Sequence, residues 1–157
     1  MPAVTEGPKA DHFTRFSCLL DVGSAGNAAR ALDIYSAMMA DAAAEDPPSE
    51  GFALAIVPEH GGSALWMHDA RTGDPQAVVE FVRACAAAFG LTGRWGFQFA
   101  LTCSKPRVGA FGGGAHLLDL ATGETLAWTS TDRWLADHLT GESADHLTGE
   151  SADAPDH

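Results

Sequence analysis

"FALAIVPEHGGSALWMHDARTGDPQAVVEFVRACAAAFG", residues 52–90, decides how this chain is built. FALAIV (52–57) is a short apolar run of strand length, and ALWMHDA (64–70) is a second. His60-Gly61-Gly62-Ser63 between them is turn chemistry, so the two runs read as a hairpin. Asp74 then offers a side-chain cap and Pro75 a first-turn proline, the usual opening of a helix. Val78, Phe81, Val82, Cys85 and Phe89 fall on one face of that helix, and Gly90 stops it.

The flanks repeat the pattern in the opposite order. In FTRFSCLLDV (13–22), Phe16, Cys18, Leu20 and Val22 alternate with Arg15, Ser17 and Asp21, which predicts a strand with one buried face. After the turn Gly23-Ser24-Ala25-Gly26, a helix runs to about Glu45, with Ala28, Leu32, Tyr35, Met39 and Ala42 as its inward stripe. Asp46-Pro47-Pro48-Ser49 ends it. On the other side RWGFQFALTC (94–103) is a strand with Trp95, Phe97, Phe99 and Leu101 on one face. The order strand–helix–strand–strand–helix–strand predicts an α+β fold, the ferredoxin-like split βαβ sandwich (βαββαβ), with both helices on one face of the sheet. An added C-terminal hairpin (115–120 and 125–129, joined at Ala121-Thr122-Gly123-Glu124) and a short helix from Ser130-Thr131-Asp132 complete it. That helix is expected to set Trp134 and Leu135 against the body.

One α+β domain over 12–137 accounts for the 157 residues, between a flexible N-terminus (1–11) and an acidic tail (138–157). The tail holds an eight-residue tandem repeat, HLTGESAD at 138–145 and again at 146–153; it is polar and reads as disordered. Residues 136–157 carry six carboxylates and no Lys or Arg, half of the formal charge of −12. Such a balance is repelled by phosphate backbones and disfavours direct nucleic-acid binding. No apolar run reaches the roughly 20 residues of a membrane span, and the N-terminus lacks a basic-then-apolar leader. Cys18, Cys85 and Cys103 fit neither a disulfide framework nor a metal pattern, so a reducing cytoplasm is expected.

Between Glu80 and Asp119 the chain has no carboxylate, while Arg83, Arg94, Lys105 and Arg107 all fall there. The same window holds CSKPRVGAFGGGAH, whose Cys103, Ser104, Lys105, Arg107, Gly112, Gly113, Gly114 and His116 form the candidate binding site. It is not a Walker loop, because Lys105 precedes the glycines and a strand follows them. Three glycines could still turn backbone N–H groups inward as an anion nest, with Arg107 and Lys105 supplying charge. They could equally make a shaped turn or leave room for a partner protein. Cys103, beside two cations, is a conceivable thiolate nucleophile with His116 or His68 as base, although no spacing enforces either pair. His60, His68 and His116 with Asp69 and Asp119 lack metal-ligand spacing, so no metal, cofactor or catalytic residue is assigned. DVGSAGNAARAL (21–32) departs from the dinucleotide fingerprint, and a capped turn explains it.

TCSKPR followed by FGGGA, within roughly residues 93–135 and ending in Trp134-Leu135, resembles short uncharacterised proteins of proteobacteria and their bacteriophages. The resemblance implies an accessory or phage-associated role and carries no activity, cofactor or catalytic residue. The sequence therefore favours a non-catalytic cytoplasmic protein acting by contact with a protein partner, which could include a second copy. Two alternatives stand beside it. One is a small-anion (phosphate or carboxylate) binding protein or enzyme using Lys105, Arg107 and Gly112–Gly114. The other is an acidic nucleic-acid mimic that antagonises a DNA-binding protein.

Overall fold

A computed structural model of the chain describes residues 12–46, 50–105 and 111–140. It is a mixed α+β structure with one six-stranded antiparallel sheet and three α-helices among these residues. In chain order these are β1 (His12–Asp21), α1 (Ala25–Ala43), β2 (Ala53–Val57), β3 (Ala64–His68), α2 (Pro75–Phe89) and β4 (Arg94–Cys103). They are followed by β5 (Gly112–Asp119), β6 (Thr125–Ser130) and α3 (Thr131–Leu139). The strand order is β2-β3-β1-β4-β5-β6. The C-terminal hairpin is thus no appendage; β5 pairs with β4 along eight residues and extends the same sheet.

The local signals act where the sequence places them. Ser24 accepts from Asn27 N, and the Asn27 amide donates to Val22 O, so the first glycine turn is closed by its own side chains. Asp74 caps α2 by accepting from Gln76 N, and Gly90 ends it at φ +66°. A left-handed residue there costs glycine nothing. β2 and β3 are joined through a short 3-10 turn, Pro58–His60.

Phe16 and Leu20 of β1, Leu65 and Met67 of β3, Phe97 of β4 and Leu118 of β5 share one core with Ala28 and Ala31 of α1 and the inner face of α2. Alternate residues Arg15, Leu19, Trp66, Gly96 and Gln98 are exposed, so α1 and α2 both lie on one face. α1 packs on α2, β2 and β3, and α2 packs on β1. Tyr35 donates its hydroxyl to Phe52 O and meets the Phe52 and Phe81 rings edge-on, tying α1 to α2. Asp69 prolongs the β1–β3 junction: its carboxylate accepts from Phe16 N at 2.9 Å and from Arg15 Nε at 2.7 Å.

Three expectations change. Leu32 is exposed on α1 and Ala31 is buried instead, because the face of α1 turned to α2 and the sheet runs through Ala28, Ala31, Tyr35 and Met38, one position round from Leu32. Trp134 and Leu135 are not set against the body; each is 52% exposed, and α3 buries none of its residues. The reason is position: α3 follows the edge strand, beyond the reach of α1 and α2. The acidic repeat beyond residue 140, and the boundary at residues 47–49, lie outside the described residues.

The third change concerns Gly112, Gly113 and Gly114, which open β5 and stand opposite Leu101, Ala100 and Phe99 of β4. They form no nest, since their amides belong to an extended strand. Gly114 is required by contact: a Cβ there would lie 2.5 Å from Thr129 O and 2.6 Å from the Phe99 ring. At Gly113 it would lie 2.6 Å from Phe99 O, whereas at Gly112 the nearest atom is 3.4 Å away. Gly114→Ala and Gly113→Ala should each cost about 1–3 kcal/mol as overpacked sites. Gly112→Ala should stay within about 0.5 kcal/mol. Urea denaturation of the three variants reads this order directly, and equal small losses would show that the glycines serve mobility instead of close packing.

Candidate functional site

The sequence-predicted site residues are spread along two strands. Cys103 is the last residue of β4 and stands opposite His12 of β1, with Ser104 and Lys105 just beyond it. Arg107 lies outside the described residues. His116 stands opposite Phe97 in mid-strand, four residues past Gly112. The three described cations of the acid-free window, Arg83, Arg94 and Lys105, do not converge either. Arg94 begins β4, opposite Asp119, and Lys105 follows its other end, roughly 30 Å away for a ten-residue strand. Arg83 belongs to α2 and turns to the β5–β6 hairpin. The pairing of His68 with Cys103 is also absent: His68 stacks on Trp66 at 4.0 Å and stands opposite Ser17, five positions along β1 from His12.

Two other features are built. The first is a cleft on the helix-bearing face, between α2 and the strands β4, β5 and β6. Its volume is about 420 Å³, and Val79, Phe97, Phe99 and Trp128 form apolar walls. At one end Arg83 donates from Nε to Gly123 O (2.7 Å) and from Nη2 to Thr125 Oγ1 (3.0 Å). Thr125 Oγ1 lies 2.7 Å from His116 Nε2. Thr125 Oγ1 thus bridges the Arg83 guanidinium and the His116 ring: it accepts from Arg83 Nη2 on one lone pair and shares one hydrogen, its own or the ring's, with Nε2. Burial and then the Arg83 charge lower the His116 pKa below 6.5, consistent with a neutral ring. A bulge at Leu117/Leu118 makes this cluster possible, since it swings Leu126 outward and sets Thr125 opposite Leu118 on the helix face.

The second feature is the edge formed by β6 and α3. Trp128, Trp134, Leu135 and Leu139 are all more than half exposed there. Arg133 lies 4.9 Å over the Trp128 ring, and His138 stacks on Trp134 at 4.2 Å. Thr131 Oγ1 donates to Gly113 O, so α3 starts directly beside the glycine strand. Among the described residues no three His, Cys, Asp or Glu side chains gather as a metal site, and no helix is long and apolar enough to cross a membrane. The nucleic-acid-mimic reading needs rows of carboxylates on one face, whereas half of the net charge falls in residues 136–157, of which 141–157 lie outside the described residues.

Sequence reasoning met Arg83 only as a member of the acid-free window and missed Val79, Thr125 and Trp128. Two signals could have found the cleft. Val79 and Arg83 are four residues apart, hence on one stripe of α2. His116 has the same strand parity as Leu118, so it had to face the helices.

Two outcomes follow from these geometries. Burial pushes the Cys18 and Cys85 thiols up to about 12, so the native chain should show one fast-reacting thiol, the half-buried Cys103, with dithionitrobenzoate. The His116 pKa is lowered on folding, so the unfolded chain takes up that proton first as pH falls. The contribution is present above about pH 6.5 and lost as pH drops through the folded value. The fall in Tm between pH 7 and pH 5 should therefore be smaller for His116→Gln than for the parent chain. In comparisons with known proteins, no family model, no curated protein and no solved structure matches this chain.

Proposed function

We propose that the protein is a non-catalytic module that works by protein–protein contact, docking through β6 and α3. One observation carries this reading: α3 buries no residue, yet it presents Trp134, Leu135 and the 82%-exposed Leu139 to solvent. Exposed apolar side chains of that size gathered on one helix mark a contact surface. β6 supports it. This edge strand, TLAWTS, has no ionisable residue and no proline, so neither charge nor a missing N–H blocks an added strand, and its one irregularity is the bulge near its start.

The partner this edge suits is a second copy of the chain. Two copies each carrying −12 repel overall, but Thr125–Ser130 brings no charge to the contact, and antiparallel pairing of two β6 edges is self-complementary. An accessory role, as the resemblance to proteobacterial and phage proteins implies, accords with a module whose chemistry is contact. The finer layout belongs to the same proposal. We read β1 to β4 with α1 and α2 as the ferredoxin-like split βαβ arrangement, and β5, β6 and α3 as an extension that adds the docking edge. The stretch β2-β3-β1-β4 within the strand order supports that reading.

Light scattering on the full chain at about 100 μM should return the mass of two copies. Trp134→Glu and Leu135→Glu should return one copy while Tm stays near the parent value, because neither side chain packs into the core. A single-copy mass for the parent at every concentration would overturn the self-pairing. A dimer indifferent to both substitutions would overturn the role of α3.

A further inference from the structure

We infer that the cleft between α2 and β4–β6 binds a small aromatic carboxylate, with the acid at Arg83 and His116 and the ring among Phe97, Phe99 and Trp128. The inference does not rest on the docking edge. Its first support is the cleft itself, about 420 Å³, within the usual size of small-molecule sites and mostly apolar with a few polar groups at one end.

The second support is an uncompensated charge. Arg83 is half-buried, and its two bonds go to neutral acceptors, Gly123 O and Thr125 Oγ1. Among the described residues no carboxylate lies within ion-pair distance of it; the ion pair found there joins Arg15 and Asp69. Among the described residues Nη1 of Arg83 has no protein acceptor. A guanidinium in such a setting gains most from an anion that brings two oxygens.

The third support is the placement of His116. Its Nε2 is engaged with the Thr125 hydroxyl, and Nδ1, with no protein partner among the described residues, supplies a second donor to a ligand when it carries the ring proton. Arg83 and His116 are thus joined through Thr125, and the hairpin bulge that places Thr125 holds both donors at the same end of the cleft. One guanidinium and a neutral imidazole match a singly charged carboxylate. A phosphate dianion would leave one negative charge uncompensated in a chain that is already acidic.

The walls select the rest of the ligand. Phe97 and Phe99 come from alternate positions of β4, and Trp128 faces them from β6. Rings at such sites accept a planar apolar body by offset or edge-to-face contact. Trp128 is 56% exposed, which makes it the rim of the cleft and not part of the core.

The test uses the full chain with benzoate and indole-3-carboxylate as probes, read by calorimetry and by Tm. Saturable binding with a rise in Tm is expected, and benzamide, the neutral isostere of benzoate, should bind at least about tenfold more weakly. Trp128→Ala should weaken both probes by about two- to tenfold without lowering Tm. Arg83→Gln should abolish binding; since Arg83 also holds the hairpin, Trp128→Ala and the benzamide comparison decide the matter if that variant unfolds. The side chains facing His116 are Phe97 of β4, Thr125 and Trp128 of β6, and Arg83 of α2, the charged one. Bound carboxylate adds a negative charge, so affinity should rise from pH 7.5 to pH 6, and His116→Gln should remove that rise. Benzamide binding as tightly as benzoate, inorganic phosphate competing equally with it, or no saturable binding at millimolar probe would each overturn the inference.

Discussion

Two helices cannot cover a six-stranded sheet, and most of what is distinctive in this molecule follows from that limit. Strands spaced about 4.8 Å apart make a sheet nearly 30 Å wide, whereas two packed helices span about 20 Å. α1 takes β2 and β3, α2 takes β1, and the helix-facing sides of β5 and β6 are left to be managed by other means. Leu118 is still buried at the margin of α2. Beyond it the row changes character, to His116, Thr125 and Trp128, and the chain fills the gap with a polar network and an open cleft.

Arg83 is the link between the covered and uncovered halves. It leaves the buried stripe of α2 and ties the β5–β6 hairpin to the helix through Gly123 and Thr125. Its aliphatic stem lies beside Gly123, while its charge stays toward the cleft. The same residue therefore anchors the hairpin and sets the electrostatics of His116. At the far end of the hairpin α3 packs mainly on β5 and β6 and leaves its large side chains in solvent. The cleft and the edge are two consequences of one shortage of cover, on either side of Trp128.

The element order was legible because local chemistry dictates it. Asp74-Pro75 and Gly90 bracket α2, and β4 begins and ends where Arg94 and Cys103 predict. Details that depend on which surface meets which were not legible. Helical periodicity admits Leu32 as readily as Ala31 to the inner stripe of α1, and the contact with α2 and the sheet selects Ala31. Amphipathic spacing in α3 says that Trp134 and Leu135 share a face, but not that anything covers it. Lys-Pro-Arg and three glycines look like a ligand loop because turn and strand glycines are indistinguishable in one dimension. In the sheet, Gly114 is explained by the Phe99 ring and Thr129 O, which come from two other strands.

The amino-acid sequence by itself determined the α+β class, the number and order of the main elements, their caps and the inward parity of β1 and β4. These depend on groups a few residues apart. Only the tertiary structure decided that the hairpin continues the sheet, that a bulge turns Thr125 toward His116, and that Arg83 reaches both. Those contacts join residues 9 to 42 positions apart. Their geometry is set by strand register and helix placement, which no local pattern of residues encodes.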